Sequence, residues 1–196
     1  MVDAVLLDEA RLAEASAVLA RAFHDDPAWV FVFPDEERRQ RHLPWIFRIS
    51  LRRAIRSGRA YTTADVAGVV QWVPPGEHRQ SLDLAIATVA FRLRGALPRL
   101  LAYGRSIQEL KDRTPEPAYW YLGGIGVDPG RRRGGVGAAL LRPGLDRADA
   151  AGLPCVLLTN NEANFSFYEA AGFAVTASEQ PPRGVPRVWA MTRPPR

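Results

Sequence analysis

Three arginines and three glycines fall within seven positions, Arg131-Arg132-Arg133-Gly134-Gly135-Val136-Gly137, and no other stretch of this 196-residue chain points so directly to chemistry. Glycines at 134, 135 and 137 permit a backbone that curls its N–H groups inward, and a following helix adds its first unbonded amides to the same hollow. A helix N-terminus carries about half a positive charge, and the guanidinium groups add full ones, so the segment suits a diphosphate ester. The Gly-x-x-x-x-Gly-Lys-Ser/Thr of a nucleoside-triphosphate loop is missing, and the glycine spacing is not the Gly-x-Gly-x-x-Gly of dinucleotide folds. An Arg/Gly tract of the RNA-binding kind and an ordinary strand-to-helix connection are the other readings. The flanks weigh against the tract, because Tyr119–Val127 is strand-like and Val136, Leu140, Leu141, Leu145 and Ala148 recur at helical spacing.

Other reactive residue types offer less. Cys155 is the one cysteine and lies in the apolar run Cys155-Val156-Leu157-Leu158, so it reads as a small buried hydrophobe, and an internal disulfide is excluded. His24-Asp25-Asp26-Pro27 breaks a helical pattern, and its carboxylates could simply hold turn amides. His42 and His78 have no partner in view, and no His/Asp/Glu spacing suggests a metal. Glu162 opens a helical segment, where a carboxylate ordinarily meets the helix dipole.

Elements that hold these residues follow from periodicity. Val2–Leu7 reads as a strand and Glu9–Phe23 as a helix with Leu12, Ala15, Leu19 and Phe23 along one side. Ala28–Phe33 is apolar and aromatic. Asp35 caps a helix that runs to about Ser57-Gly58. Arg59–Thr63 and Val66–Val73 read as paired strands, the second weakened by Gly68. Ser81–Arg94 and Ala96–Lys111 read as helices, and Thr114–Pro117 as a loop. Then follow strand Ala118–Val127, helix Gly135–Ala151 kinked at Pro143, strand Pro154–Thr159, helix Glu162–Ala171, and strands Phe173–Ser178 and Val185–Thr192. Strands alternating with helices after residue 118 imply a parallel pair inside a mixed sheet.

Composition sets outer bounds. An apolar fraction of 47% in 196 residues suits a single globular domain. No apolar run reaches membrane-spanning length, and no basic-then-apolar leader opens the chain, so the reading is a cytoplasmic protein without a membrane partner. Net charge is +5, with Lys111 the one lysine, and this favours an anionic ligand without choosing it. Nucleic acid is not the expected partner, and a homodimer is allowed.

The motifs together resemble the GNAT superfamily of acyl-CoA N-acyltransferases, and within it the puromycin N-acetyltransferase-like branch. Arg132-x-x-Gly135-x-Gly137, preceded by Ile125-Gly126-Val127-Asp128-Pro129, looks like the family's acetyl-CoA pyrophosphate loop. Asn160-Asn161-Glu162-Ala163-Asn164-Phe165-Ser166-Phe167-Tyr168-Glu169-Ala170-Ala171-Gly172-Phe173 looks like its Asn…Phe-Tyr-x-x-x-Gly-Phe block. Pro143-Gly144 and Val188-Trp189-Ala190-Met191-Thr192-Arg193 also fit that branch. Residues 118–196 match closely, and residues 1–117 match in arrangement.

What the resemblance implies is specific. The fold would be an α/β (α+β mixed) GNAT-like twisted, mostly antiparallel sheet with a central splayed parallel strand pair flanked by helices. One domain would span 1–196, with 1–117 on the acceptor side and 118–196 binding acetyl-CoA. Main-chain groups of Ile125 and Val127 would pair with the pantetheine arm. Amides of Arg132, Arg133, Gly134, Gly135, Val136, Gly137 and Ala138 would hold the pyrophosphate, with Asn161, Asn164 and Tyr168 on the other side. The implied reaction is acetyl transfer from acetyl-CoA to a primary amine of a small molecule, by direct attack in a ternary complex. A peptide N-terminus, a non-catalytic acyl-CoA-binding module and an Arg-rich nucleic-acid binder are the rivals.

Tyr168 matches the family's general acid, and Val127 N–H its oxyanion donor. Puromycin acetyltransferases carry a glutamate base where this chain has Leu158, which leaves a water chain, an acceptor amine of low pKa, or Glu162 as the nearest carboxylate. Without a base the amine is hard to activate, since an amine of pKa about 10.4 costs roughly 4–5 kcal/mol to deprotonate at pH 7. His24, Asp25, Asp26, Trp29 and Tyr121 lie where the family builds its acceptor pocket. The branch also carries an association with antibiotic resistance.

Overall fold

The computed structural model describes residues 2–77, 95–112, 118–181 and 184–196. Over these residues the strands are β1 (Val5–Leu6), β2 (Ala60–Thr62), β3 (Gly68–Val73), β4 (Trp120–Val127), β5 (Cys155–Thr159), β6 (Ala174–Glu179) and β7 (Val188–Arg193). They form one sheet in the order β1-β2-β3-β4-β5-β7-β6. Every neighbouring pair is antiparallel except β4–β5, which is parallel. The expected mixed sheet with one parallel pair is therefore present.

Among the described residues the helices that flank it are α1 (Leu12–Ala22), α2 (Pro27–Val32), α3 (Glu36–Arg56), α4 (Leu97–Asp112), α5 (Val136–Ala150) and α6 (Phe165–Ala170). Leu12, Ala15 and Leu19 of α1 and Leu43, Phe47 and Leu51 of α3 bury themselves with Ala60, Val66 and Val69. Leu140, Leu141 and Ala148 of α5 pack instead with Val70, Trp72, Leu122 and Leu157. The sheet is thus apolar on both faces and sandwiched between helix layers. Among the described residues no helix is long and apolar enough to cross a membrane.

Several elements depart from the sequence reading. Ala28–Phe33 belongs to helix α2, and Pro27 opens it at the first turn, where its missing N–H is harmless. The segment read as helix Glu162–Ala171 begins as a 3-10 turn (Glu162–Asn164) before α6. Strand β1 keeps only two residues of Val2–Leu7. Gly68 is less a weakness than a close approach, since an added Cβ would lie 2.8 Å from Leu140 Cδ1 and 3.0 Å from Gly126 O. Gly144 has the same kind of reason, because a Cβ there would enter the Trp72 indole. Helix Ser81–Arg94, His78 and loop Thr114–Pro117 lie outside the described residues.

Candidate active site

β4 and β5 begin side by side and then part. Trp120, Tyr121 and Leu122 pair with Cys155, Val156 and Leu157, and no pairing follows along Gly123–Val127. The cause is on the other edge of β4. Gln71 opposes Gly124 and Trp72 opposes Leu122, so Gly123 is one residue too many and forms a bulge. A bulge bends its strand and breaks the ladder. Gln71 Nε2 donates to the bulged Gly123 O at 3.4 Å, and Ser50 Oγ donates to Gln71 Oε1 at 2.7 Å, which fixes the bend from α3.

Beyond the bulge the strand's phase is known from its hydrogen bonds. Asp128 N–H donates to Ala67 O at 2.9 Å, so Asp128 and, two residues back, Gly126 turn their main-chain groups to β3. Ile125 and Val127 then turn theirs into the gap between β4 and β5. Gly126 is also pressed against α1, where a Cβ would meet Ala22 and Leu19 at 2.8 Å.

The Arg/Gly turn follows directly. Asp128 caps a 3-10 turn (Pro129–Arg131) by accepting from Gly130 N–H, and α5 starts at Val136. Arg133 has φ 66° and Gly135 φ 76°, so the turn twice enters the left-handed region and forms a concavity of amides at the helix start. Of its glycines only Gly135 needs that freedom. Gly137 is small for another reason: a Cβ there would lie 2.9 Å from Phe167 Cε2. Arg131 pairs with Asp65 at 2.5 Å, and Arg132 Nη2 reaches Ala22 O at 3.4 Å. Arg21 pairs with Asp128 at 2.5 Å, and that hydrogen bond is the main reason the Asp128 carboxyl sits below its usual range. These exposed pairs tether the turn to α1 and the β2–β3 connection, and leave the exposed Arg133 as a cation beside the concavity.

Across the gap stands Tyr168, buried on α6, with its ring 5.1 Å from Phe167 and 6.2 Å from Phe173. Burial, and then the charge of Asp26, hold its hydroxyl above the usual tyrosine range. Tyr121 is raised by burial, then by Tyr119 and Tyr168. Tyr103 on α4 is raised by burial, then by Asp26 and Tyr121. Asp26 therefore acts on both Tyr103 and Tyr168, and Tyr121 in turn interacts with both tyrosines. Tyr103 was not singled out in the sequence, which shows it only as one residue of a helix. Its hydroxyl donates to Asn160 Oδ1 at 2.5 Å, and Asn160 Nδ2 donates to Arg187 O at 2.7 Å.

Asp26 caps α2, its Oδ1 accepting from Ala28 N–H at 3.0 Å. Burial raises its carboxyl above the ordinary value, against the lowering effect of the Ala28 and Trp29 amides. Its sequence neighbours go elsewhere. His24 Nε2 lies 3.6 Å from Glu36 Oε1 and 3.9 Å from Asp25 Oδ1. His24, Asp25 and Glu36 line an open groove of about 490 Å³ between α1 and α3, away from Tyr168. Trp29 packs on Phe47, ring centroids 5.7 Å apart, and Phe23 lies 5.2 Å from the same ring.

The remaining candidates are placed as follows. Asn161 caps the 3-10 turn by accepting from Ala163 N–H at 3.0 Å, and Asn164, half-buried, closes that turn. Glu162 is exposed. Leu158 is half-buried and packs against the apolar cluster of Leu110, Val188 and Ala190. Cys155 is buried, and burial pushes its thiol up to about 12, so no thiolate nucleophile forms at neutral pH. Among the described residues no His/Cys/Asp/Glu group could hold a metal.

Comparison with known proteins adds two findings. A model of the acetyltransferase (GNAT) family matches residues 20–173. Solved structures share the fold at low identity. The histone acetyltransferase HPA2 and related acetyltransferase of Corynebacterium glutamicum is 18% identical, with 100% of this chain and 97% of that one covered, at a TM-score of 0.66. Arylalkylamine N-acetyltransferase 2 of Aedes aegypti is 13% identical over 98% of each chain, at 0.69. The ribosomal-protein-S18-alanine N-acetyltransferase of Escherichia coli is 17% identical, covering 99% of this chain and 94% of that one, at 0.56.

Proposed function

This chain belongs to the acetyltransferase (GNAT) family, and from that premise we propose that it acetylates the primary amine of a small molecule by direct attack, both reactants bound together in the gap between β4 and β5. Acetyl-CoA, the family's donor, supplies an acetyl group activated as a thioester. The observation that carries the reading is the parting of β4 from β5 after Leu122, with the main-chain groups of Ile125 and Val127 turned into the opening.

Each residue then has a role. Ile125 and the carbonyl of Val127 offer a strand edge to an amide-bearing arm. Amides from Arg132 to Ala138, at the two left-handed residues and the start of α5, receive a diphosphate, helped by Arg133. Asn161 and Asn164 border the opening from the β5 side. Val127 N–H donates to the oxygen on which negative charge grows, and a fixed donor of that kind is worth roughly 3 kcal/mol. Tyr168, kept protonated by its surroundings, gives its proton to the departing sulfur.

Within the family, nearness to the puromycin N-acetyltransferase-like branch rests on motif residues, and the apolar packing of Leu158 argues for a different acceptor chemistry. Neighbours in fold include the arylalkylamine enzyme of Aedes aegypti and a Drosophila melanogaster polyamine N-acetyltransferase that forms N-acetylagmatine, and these define a panel. Release of coenzyme A thiol is measured with acetyl-CoA and arylalkylamines, agmatine, puromycin and peptides with free N-termini. Turnover of a small amine supports the proposal. Turnover confined to peptides, or absent with every amine, refutes it.

A further inference from the structure

We infer that Tyr103 and Asn160 are positioning residues for the transfer, tying helix α4 to the turn that delivers Tyr168. This goes beyond the proposed reaction and rests on it, with Tyr168 as its acid.

Asn160 follows β5 and Phe165 opens α6, so the turn between them carries Asn161 and Asn164 and sets where Tyr168 stands. Inside the turn, Asn161 N–H donates to Thr159 Oγ1 at 3.2 Å, and Asn161 Oδ1 accepts from Ala163 N–H at 3.0 Å. Both of its ends are held by a distant part of the chain. Asn160 Nδ2 donates to Arg187 O at 2.7 Å. The Arg187 guanidinium lies over the Trp189 ring, 5.4 Å from its centroid, and Trp189 meets Phe165 edge to face at 5.4 Å. The chain entering β7 thus brackets the turn, at Asn160 on one side and at Phe165 on the other. Tyr168 comes three residues after Phe165, close to one helical turn, so its place is inherited from the bracket.

Tyr103 completes the bracket from α4. Its hydroxyl donates to Asn160 Oδ1 at 2.5 Å. That direction is forced, because a backbone carbonyl only accepts. The Asn160 nitrogen must therefore face Arg187 O, which leaves its oxygen for a donor. The Tyr103 ring packs with Leu110, Val188 and Ala190, while α4 lies against β6 and β7 on one side and α2 on another. One half-buried carboxamide is thus bonded at both ends, to elements far apart in sequence. Removing the hydroxyl leaves Asn160 Oδ1 without its donor and loosens the near end of the turn. In the proposed reaction α2 and α4 wall the acceptor, so this hydrogen bond joins the acceptor's wall to the arm that bears the acid.

The test is a double-mutant cycle on the full chain. Tyr103→Phe keeps the ring and its packing and removes one hydroxyl. With acetyl-CoA and the amine that the wild type turns over best, kcat should fall about tenfold, less than the roughly 10²-fold of a group displaced by about 1 Å. In a Tyr168→Phe background the same substitution should alter kcat by less than about twofold, because it acts through that tyrosine. Asn160→Ala should reproduce both results. Calorimetry gives a second readout. Coenzyme A, which borders the Asn161–Asn164 turn, should bind Tyr103→Phe about threefold to tenfold more weakly, while ADP, whose diphosphate needs only the Arg/Gly turn, binds as to the wild type. Equal losses of kcat in both backgrounds, ADP weakened as much as coenzyme A, or unaltered kcat in Tyr103→Phe would overturn the role of Tyr103 and Asn160. Unaltered kcat in Tyr168→Phe alone would overturn the inference and leave the transfer standing. Absence of small-amine turnover in the wild type would overturn the proposed reaction itself.

Discussion

Gly137→Ala tests whether the turn and the acid are mechanically one unit. The methyl group would be placed 2.9 Å from Phe167 Cε2 and 3.0 Å from Cζ, some half an ångström inside ordinary contact. Phe167 also packs on Tyr168, ring centroids 5.1 Å apart, so a shift of its ring is felt at the proposed acid. Overpacking of this kind costs about 1–3 kcal/mol. Alanine's better helix propensity returns about 1 kcal/mol at most, less in a first turn. The net is a loss of about 1–2 kcal/mol, which for a domain of this size lowers Tm by roughly 3–6 °C. Catalysis should suffer more than stability, because a displacement of about 1 Å at a reacting group can cost about 10²-fold. Thermal melts and steady-state kcat on purified Gly137→Ala check both numbers, and Phe167→Leu in the same chain should restore much of the melt. A variant with wild-type Tm and kcat would refute the contact and the coupling drawn from it.

Three further outcomes are expected. Tyr168→Phe should lower kcat by about 10²-fold or more across pH 6–9 with little change in coenzyme A binding, and unaltered kcat would remove the residue from its role. Cys155, its thiol pushed up to about 12, should resist a disulfide-exchange reagent at pH 8 in the native chain and react on unfolding; rapid native labelling would contradict its burial. Asp149→Asn strands the buried Arg193, which in the wild type donates hydrogen bonds of 2.7 and 2.8 Å to the Asp149 carboxylate, and should cost about 3 kcal/mol in denaturant unfolding. The pH sign follows from Arg193 holding the Asp149 carboxyl low. The pair's contribution is whole above the unfolded value near 4 and fades as pH falls through the lower folded one, so a wild-type advantage that does not shrink as pH is lowered below 4 would be contrary.

How much of this was legible in the chain depended on length scale. The Arg/Gly turn was readable because a strand pattern, a glycine cluster and a helical period follow in order from Trp120 to Ala150. α2 was not, since six residues give no full period and Pro27 reads equally as a stop or as a first turn. The bulge at Gly123 was invisible for a related reason: Gly123-Gly124 inside an apolar run signals a bulge only weakly, and which residue is supernumerary is decided by β3 across the ladder. Asp26, Asp25 and His24 looked alike in sequence. Their separation, with Asp26 half-buried at a helix cap and His24 and Asp25 in the groove between α1 and α3, is set by α1, α2 and α3 together. Tyr103 comes from a distant helix, and nothing local links it to Asn160.

The edge that β4 exposes after its bulge is built from peptide groups, and peptide groups are common to all residues. A grip made of them is blind to side-chain drift. Substitutions can accumulate at positions such as Ile125 and Val127 so long as the bend, the two left-handed positions and the close-packed Gly126 and Gly137 survive. Chains of only 13–18% identity share this architecture. On the proposed reading it also leaves the opposite wall, contributed by α1, α2 and α4, at liberty to diversify the molecule that is modified without disturbing the one that is consumed.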